Sequence, residues 1–154
     1  MRILIATDGS EYSTAAVRKA CEFVDASRDS VKVISVLEDV PPVMIEPGVI
    51  NTEYYQTIED NLREMAKQHV AAATALIQKH FEGKSVDVSG ETLHGFADER
   101  IIEEARSWKA DLIVVGSHGR GFWGRLLGSV STGVLHHAPC SVLVVRKPDE
   151  DNAE

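Results

Sequence analysis

The stretch "RILIATDGSEYSTAAVRKACEFVDASRDSVKVISVL", residues 2–37, contains one complete structural period of the chain. Its two ends, "RILIA" (2–6) and "VKVISVL" (31–37), are short, apolar and rich in β-branched residues, the pattern of strands buried on both faces of a sheet. Between them Ala16, Val17, Ala20, Cys21 and Val24 recur at helical spacing as one apolar stripe, and Ser10 or Ser13 stands where a helix N-cap belongs. The unit reads strand, helix, strand. Two parallel strands need such a crossover, and in one sheet it runs right-handed.

The same period continues outward. Residues 38–50, "EDVPPVMIEPGVI", hold three of the five prolines, so regular structure is expected to lapse there in a loop. From about Thr52 to Phe81, Ile58, Leu62, Met65, Ala72 and Leu76 keep near-helical spacing. A continuous helix of that length spans about 45 Å, more than a typical strand of about 17–20 Å. Its first turns are therefore expected to project beyond the sheet or to belong to the loop. "SVDVSGETL" (85–93) suits a third strand near the sheet edge, and Ile101, Ile102, Ala105 and Trp108 mark another helix. "DLIVVG" (111–116) reads as a fourth strand, "SVSTGVLHHA" (129–138) as a short helix, and "SVLVVR" (141–146), after Pro139, as a fifth strand.

Alternation of this kind implies an α/β fold with a doubly wound, five-stranded parallel sheet. One domain is expected over residues 1–147, with a charged tail at 148–154. In such sheets ligands bind beyond the carboxyl ends of the strands, where the winding reverses. Those ends are "TDGS", "LED", "HGFAD" and the glycine-rich turn after the fourth strand.

Composition narrows the function classes. The chain has 154 residues, 44% hydrophobic and 26% charged, and a formal charge of −8, which argues against a nucleic-acid surface. No apolar run reaches the roughly 18 residues of a membrane helix, and "MRILIATDGS" meets Asp8 too early for a secretory signal, so a cytoplasmic location is expected. Cys21 and Cys140 lie far apart without a CxxC partner and read as buried thiols. His136, His137 and Cys140 cluster before the last strand, but adjacent histidines on a helix point about 100° apart and share one ion poorly, so no metal site is expected.

The turn itself, "GSHGRGFWGRLLGSVS" (116–131), admits several mechanisms. The Walker-type string GxxxxGK followed by Ser or Thr is absent. Gly119, Gly121 and Gly124 spell GxGxxG, but the next strand ends in Arg146 with eight residues left, so the second half of a dinucleotide fold is missing. A third reading is a phosphate turn feeding a helix. Gly116 and Gly119 would free the backbone, Gly128-Ser129 would open the helix with an amide and a hydroxyl, and Arg120 and Arg125 would add cations. The plain alternative is a tight turn that holds nothing. At the end of the first strand, Asp8 could accept from a base or ribose, or serve only as a cap or turn residue. His118 could touch a phosphate or face solvent, and Trp123 could form a lid or a subunit contact.

Taken together, "ILIATDGSEYSTAAVRKA", "ADLIVVGSHGRG" and "LGSVSTGVLHHAPCSVLVV" resemble the universal stress protein family over nearly the whole chain. The resemblance implies a flavodoxin-like, or adenine nucleotide alpha hydrolase-like, sheet of order 3-2-1-4-5. It also implies a homodimer paired through the last strand (Ser141, Val142, Leu143, Val144, Val145) and, in one branch, binding of ATP or another adenine nucleotide, with Mg²⁺ as an accompanying ion. That branch's pattern of glycines maps to Gly116, Gly119, Gly128 and Ser129 for phosphate and ribose, followed by Val130 and Ser131, with Arg120 inside the loop. Thr7, Asp8, Val36 and Val115 map to the base end. One departure stands out: eight residues separate Gly119 from Gly128 where the pattern has nine. The expected function is a nucleotide-binding regulatory or stress-response module without dedicated catalytic residues. A slow ATPase and a nucleotide-free dimeric interaction protein are the other readings.

Overall fold

The computed structural model describes residues 1–38, 52–119 and 126–147. Its elements are β1 (Arg2–Ala6), α1 (Glu11–Cys21), β2 (Ser30–Leu37), α2 (Thr52–His80), β3 (Asp87–His94), α3 (Ala97–Ser107), β4 (Leu112–Gly116), α4 (Ser129–His137) and β5 (Ser141–Val145). All pairings are parallel, and the five strands lie in the order β3-β2-β1-β4-β5. Order and class agree with the sequence reading. Most of the expected loop at 38–50, the tail at 148–154, and Arg120, Trp123 and Arg125 lie outside the described residues.

Strand periodicity divides the core into two layers. Ile3, Ile5, Val31, Val33 and Val114 pack against Ala16, Val17 and Ala20 of α1 and against Val70, Ala73 and Ile77 of α2. Leu4, Ile34, Ile113 and Val115 point the other way, against Ile101 and Ala105 of α3 and Val134 of α4. The helices before β3 thus cover one face and those after it the other, as right-handed crossovers require when the winding reverses between β1 and β4.

Helix α2 is continuous over 29 residues, and its buried residues Ala66, Val70, Ala73 and Ile77 all lie in its second half. Among the described residues, its first half contributes no buried residue to the core. The buried stripe differs from the expected one, for Met65 and Ala72 are exposed while Ala66 and Ala73 are covered. One position is about 100° around a helix, and in a segment this rich in alanine such a rotation trades Ala72 for Ala73 with no loss of apolar area. Among the described residues no helix is long and apolar enough to cross a membrane.

One charged group interrupts the apolar strands. Lys32 of β2 places its Nζ 2.7 Å from Glu91 of β3 and 2.7 Å from Glu104 of α3, tying an edge strand and a helix to the sheet. Burial works to lower the pKa of this ammonium, but the hydrogen bonds and charges of Glu104 and Glu91 outweigh it and leave the group above its ordinary value. Removing the cation strands a largely covered carboxylate. Lys32→Met is therefore expected to destabilise by on the order of 2 kcal/mol, and adding Glu104→Met to recover more than half of that. Urea denaturation of the single and double variants checks this, and equal stabilities for the two would contradict it.

Candidate functional site

The carboxyl end of β1 runs directly into the first turn of α1. Ser10 caps the helix, its Oγ accepting from the Ser13 amide at 3.2 Å, and Asp8 Oδ1 accepts from the Ser10 amide at 3.0 Å in an Asx turn. Gly9 turns the chain between them at φ +73°, a conformation that favours glycine. Thr7 is buried, donates to Ser13 Oγ at 3.1 Å and accepts from the Gly9 amide at 3.2 Å. A seam of hydroxyls therefore fixes this corner.

β4 ends beside the same corner. A Cβ on Gly116 would lie 2.8 Å from the Tyr12 carbonyl carbon and 2.9 Å from the Ser13 nitrogen, both backbone atoms that cannot swing away. Past Gly116, the Ser117 amide donates to the Val145 carbonyl at 2.8 Å, and the Ser117 carbonyl accepts from the Gly128 amide at 2.8 Å. Ser131 Oγ lies 3.1 Å from that carbonyl and 2.9 Å from the Gly128 carbonyl, so its one proton serves both. The glycine-rich turn is thus pinched at its neck, between Ser117 and Gly128.

Gly128 is the N-cap of α4 and supplies no side-chain cap, in contrast to Ser10 on α1. The first amides of α4 and the positive end of its dipole open into a cleft of about 230 Å³ at the carboxyl ends of β1, β2 and β4. Thr7, Asp8, Val36, Val115, Gly116, Gly119, Gly128, Ser129, Val130 and Ser131 all line it. Arg120 lies outside the described residues. Val36, Val115 and Val130 give its lining apolar surface, and Asp8, Ser129 and Ser131 give it polar groups. Gly119 faces Asp8 closely enough that a Cβ there would stand 2.9 Å from Asp8 Oδ2.

Ala6, Ser13, Ala97, Ile101 and His118 also line the cleft and were not assigned to it from sequence. Ala97 and Ile101 belong to the first turns of α3, and the "HGFAD" strand end was the available signal for them. His118 does not face solvent, the second of its two readings, and makes a bond across the turn that neither reading anticipated. It is 8% exposed, with Nδ1 2.9 Å from Ser117 Oγ and Nε2 hydrogen-bonded to the Leu126 carbonyl.

Outside the cleft, His136 and His137 are exposed at the end of α4, and among the described residues no cluster of His, Cys, Asp or Glu could hold a metal ion. Cys21 is buried as expected, but Cys140 is only half-buried. Burial raises both thiols above their ordinary pKa, with the Asp111 charge adding to the effect at Cys140, so neither is an activated nucleophile.

The class defined by these features is a doubly wound α/β protein with a cleft at the topological switch point, closed on one side by a helix N-terminus. The model of the universal stress protein family matches residues 1–146, and the chain belongs to that family. Universal stress protein MJ0531 of Methanocaldococcus jannaschii is 34% identical over 151 residues, covering 97% of this chain and 84% of the relative. Among solved structures, the universal stress protein UspA from Lactobacillus plantarum superposes with a TM-score of 0.78 at 23% identity, over 95% of this chain and 97% of that one. An Arabidopsis thaliana family member with AMP bound gives 0.70 at 16% identity, covering 100% and 95%. The Archaeoglobus fulgidus protein in complex with dAMP gives 0.67 at 20%, covering 94% and 97%. At these identities the structural likeness is one of fold.

The glycines differ in what they tolerate. Gly116→Ala forces β4 away from α1 and is expected to cost about 1–3 kcal/mol. Gly128→Ser, where the nearest atoms to a Cβ lie at 3.4 Å and a hydroxyl can cap α4, is expected to stay within about 0.5 kcal/mol of the parent. Chemical denaturation of both variants measures the contrast, and equal losses would contradict it.

Proposed function

We propose that this chain binds an adenine nucleotide, ATP, ADP or AMP, in the cleft and acts as a nucleotide-responsive regulatory module. The observation that carries the reading is the meeting, in one cleft, of an apolar wall with an uncapped helix N-terminus flanked by glycines. Val36 and Val115 are the base contacts, and Thr7 and Asp8 stand where a base edge or ribose hydroxyls can pair. Gly116, Gly119, Gly128 and Ser129 receive phosphate oxygens, with Val130 and Ser131 in the turn behind them. Arg120, next to Gly119 in sequence, supplies a cation there, and Mg²⁺ accompanies a triphosphate. The nucleotides held by the Arabidopsis and Archaeoglobus proteins support the choice of ligand class.

The sheet leaves β5 at an edge, with Val142, Leu143 and Val144 apolar and only half-buried. An edge of that composition is a liability unless covered, and pairing with β5 of a second copy about a two-fold axis would cover it. The expected sedimentation mass is twice that of the chain.

Calorimetric titration of nucleotide-stripped protein with ATP, ADP and AMP tests the ligand. Binding of at least one is expected, weakened roughly tenfold or more, about 1.4 kcal/mol, in Gly119→Val, whose side chain crowds Asp8. Absence of heat with all three would overturn the reading. Steady phosphate release from ATP, lost in the same variant, would move it to a slow ATPase.

A further inference from the structure

The two ends of the glycine-rich turn are held together by a residue whose sequence context gives no hint of it. Leu126, at the far side of the turn, is 78% exposed, so burial of its side chain does not fix the chain there. Its carbonyl is engaged instead by His118 Nε2. A carbonyl only accepts, so Nε2 carries the proton, and Nδ1 is then the acceptor for the Ser117 hydroxyl at 2.9 Å. The ring packs on Tyr12 of α1, with centroids 5.0 Å apart at a 53° tilt, which anchors it to the corner that also holds Asp8. Two residues beyond Leu126, the Gly128 amide meets the Ser117 carbonyl, completing the pinch.

We infer that His118 is a positioning residue for the phosphate end of the cleft: it clasps the chain at Leu126 so that the first amides of α4 arrive facing the ligand. The imidazole does this through Gly128 and Ser129. The inference rests on the proposed nucleotide site for its consequence, whereas the clasp itself is made by the chain's own groups. A tight turn closed at both ends presents its amides with the ordering entropy already spent, whereas an open turn has to be ordered by the phosphate on arrival. Loss of the clasp is therefore felt by ligands in proportion to what they place at α4, and adenosine, which lacks phosphate, is spared.

Three substitutions separate the clasp from mere packing. His118→Phe keeps an aromatic face on Tyr12 and loses both ring nitrogens. His118→Gln places an amide donor at the distance of Nε2, and His118→Asn reaches only as far as Nδ1. Amide hydrogen exchange at Gly128 in ligand-free protein is expected to accelerate roughly tenfold or more in His118→Phe and His118→Asn and to return toward the parent rate in His118→Gln. In calorimetry, AMP is expected to weaken roughly tenfold in the same two variants while adenosine stays within about twofold. Unchanged exchange at Gly128, or a parallel loss of AMP and adenosine, overturns the inference. Should His118→Phe fail to fold, His118→Asn against His118→Gln carries the same comparison. A parent protein that binds neither ligand refutes the nucleotide site, and the exchange at Gly128 still decides the clasp.

Discussion

Strand β4 can end where it does only because residue 116 has no side chain. The backbone of Gly116 lies against the peptide between Tyr12 and Ser13, closer than any Cβ permits. That contact joins the carboxyl end of β4 to the first turn of α1 across the point where the winding reverses. The cleft is lined just beyond this junction, by Ala6 and Thr7 after β1 and by Val115 and Gly116 at the end of β4. A second close approach acts on the other face, where a Cβ on Gly133 would lie 2.3 Å from Asp98 Oδ2. The absence of that side chain lets the first turn of α3 lie against α4, which brings Ala97 and Ile101 into the cleft wall.

Two helices meet at this corner and treat their first amides in opposite ways. In α1 the chain satisfies its own donors through Ser10 and the Asx turn at Asp8, so that terminus is closed by the protein. In α4 the cap is glycine, and no side chain competes for the leading amides. Serine at that position would serve the helix better by local rules, since side-chain caps outrank glycine. Local sequence and helix stability disagree at Gly128, and such disagreements concentrate where a site needs the backbone bare.

Much of the fold was legible because its signals are local. β-branched runs, one amphipathic stripe per helix and prolines between elements were enough to give the succession of strands and helices and a parallel sheet covered on both sides, whereas the strand order came from the family resemblance. The rotation of α2 was not legible, because alanines at 66, 72 and 73 offer nearly equal apolar area and only the shape of the sheet beneath chooses among them. Lys32 was hidden for a related reason. A single charge in "VKVISVL" reads as an exposed strand position, and nothing nearby in sequence announces the glutamates at 91 and 104 that make its partial burial tolerable. Asp8, Gly116, Gly119, Gly128 and Ser129 were found through glycine spacing and strand ends, and Thr7, Val36 and Val115 through the family resemblance. The bond of His118 across the turn escaped because its partner is a backbone carbonyl, which every residue type carries.

The neck also changes the weight of the eight-residue spacing between Gly119 and Gly128. The bonds that set where α4 begins involve Ser117, His118, Leu126, Gly128 and Ser131, and of these only Leu126, near its end, belongs to the eight-residue segment. With the ends fixed in this way, the closure entropy of the intervening chain changes by only about 0.1 kcal/mol between nine residues and eight. Shortening therefore has little leverage on the position of the Gly128 and Ser129 amides. On the proposed nucleotide reading, its effect falls on what the segment's own residues contribute rather than on the amides of α4.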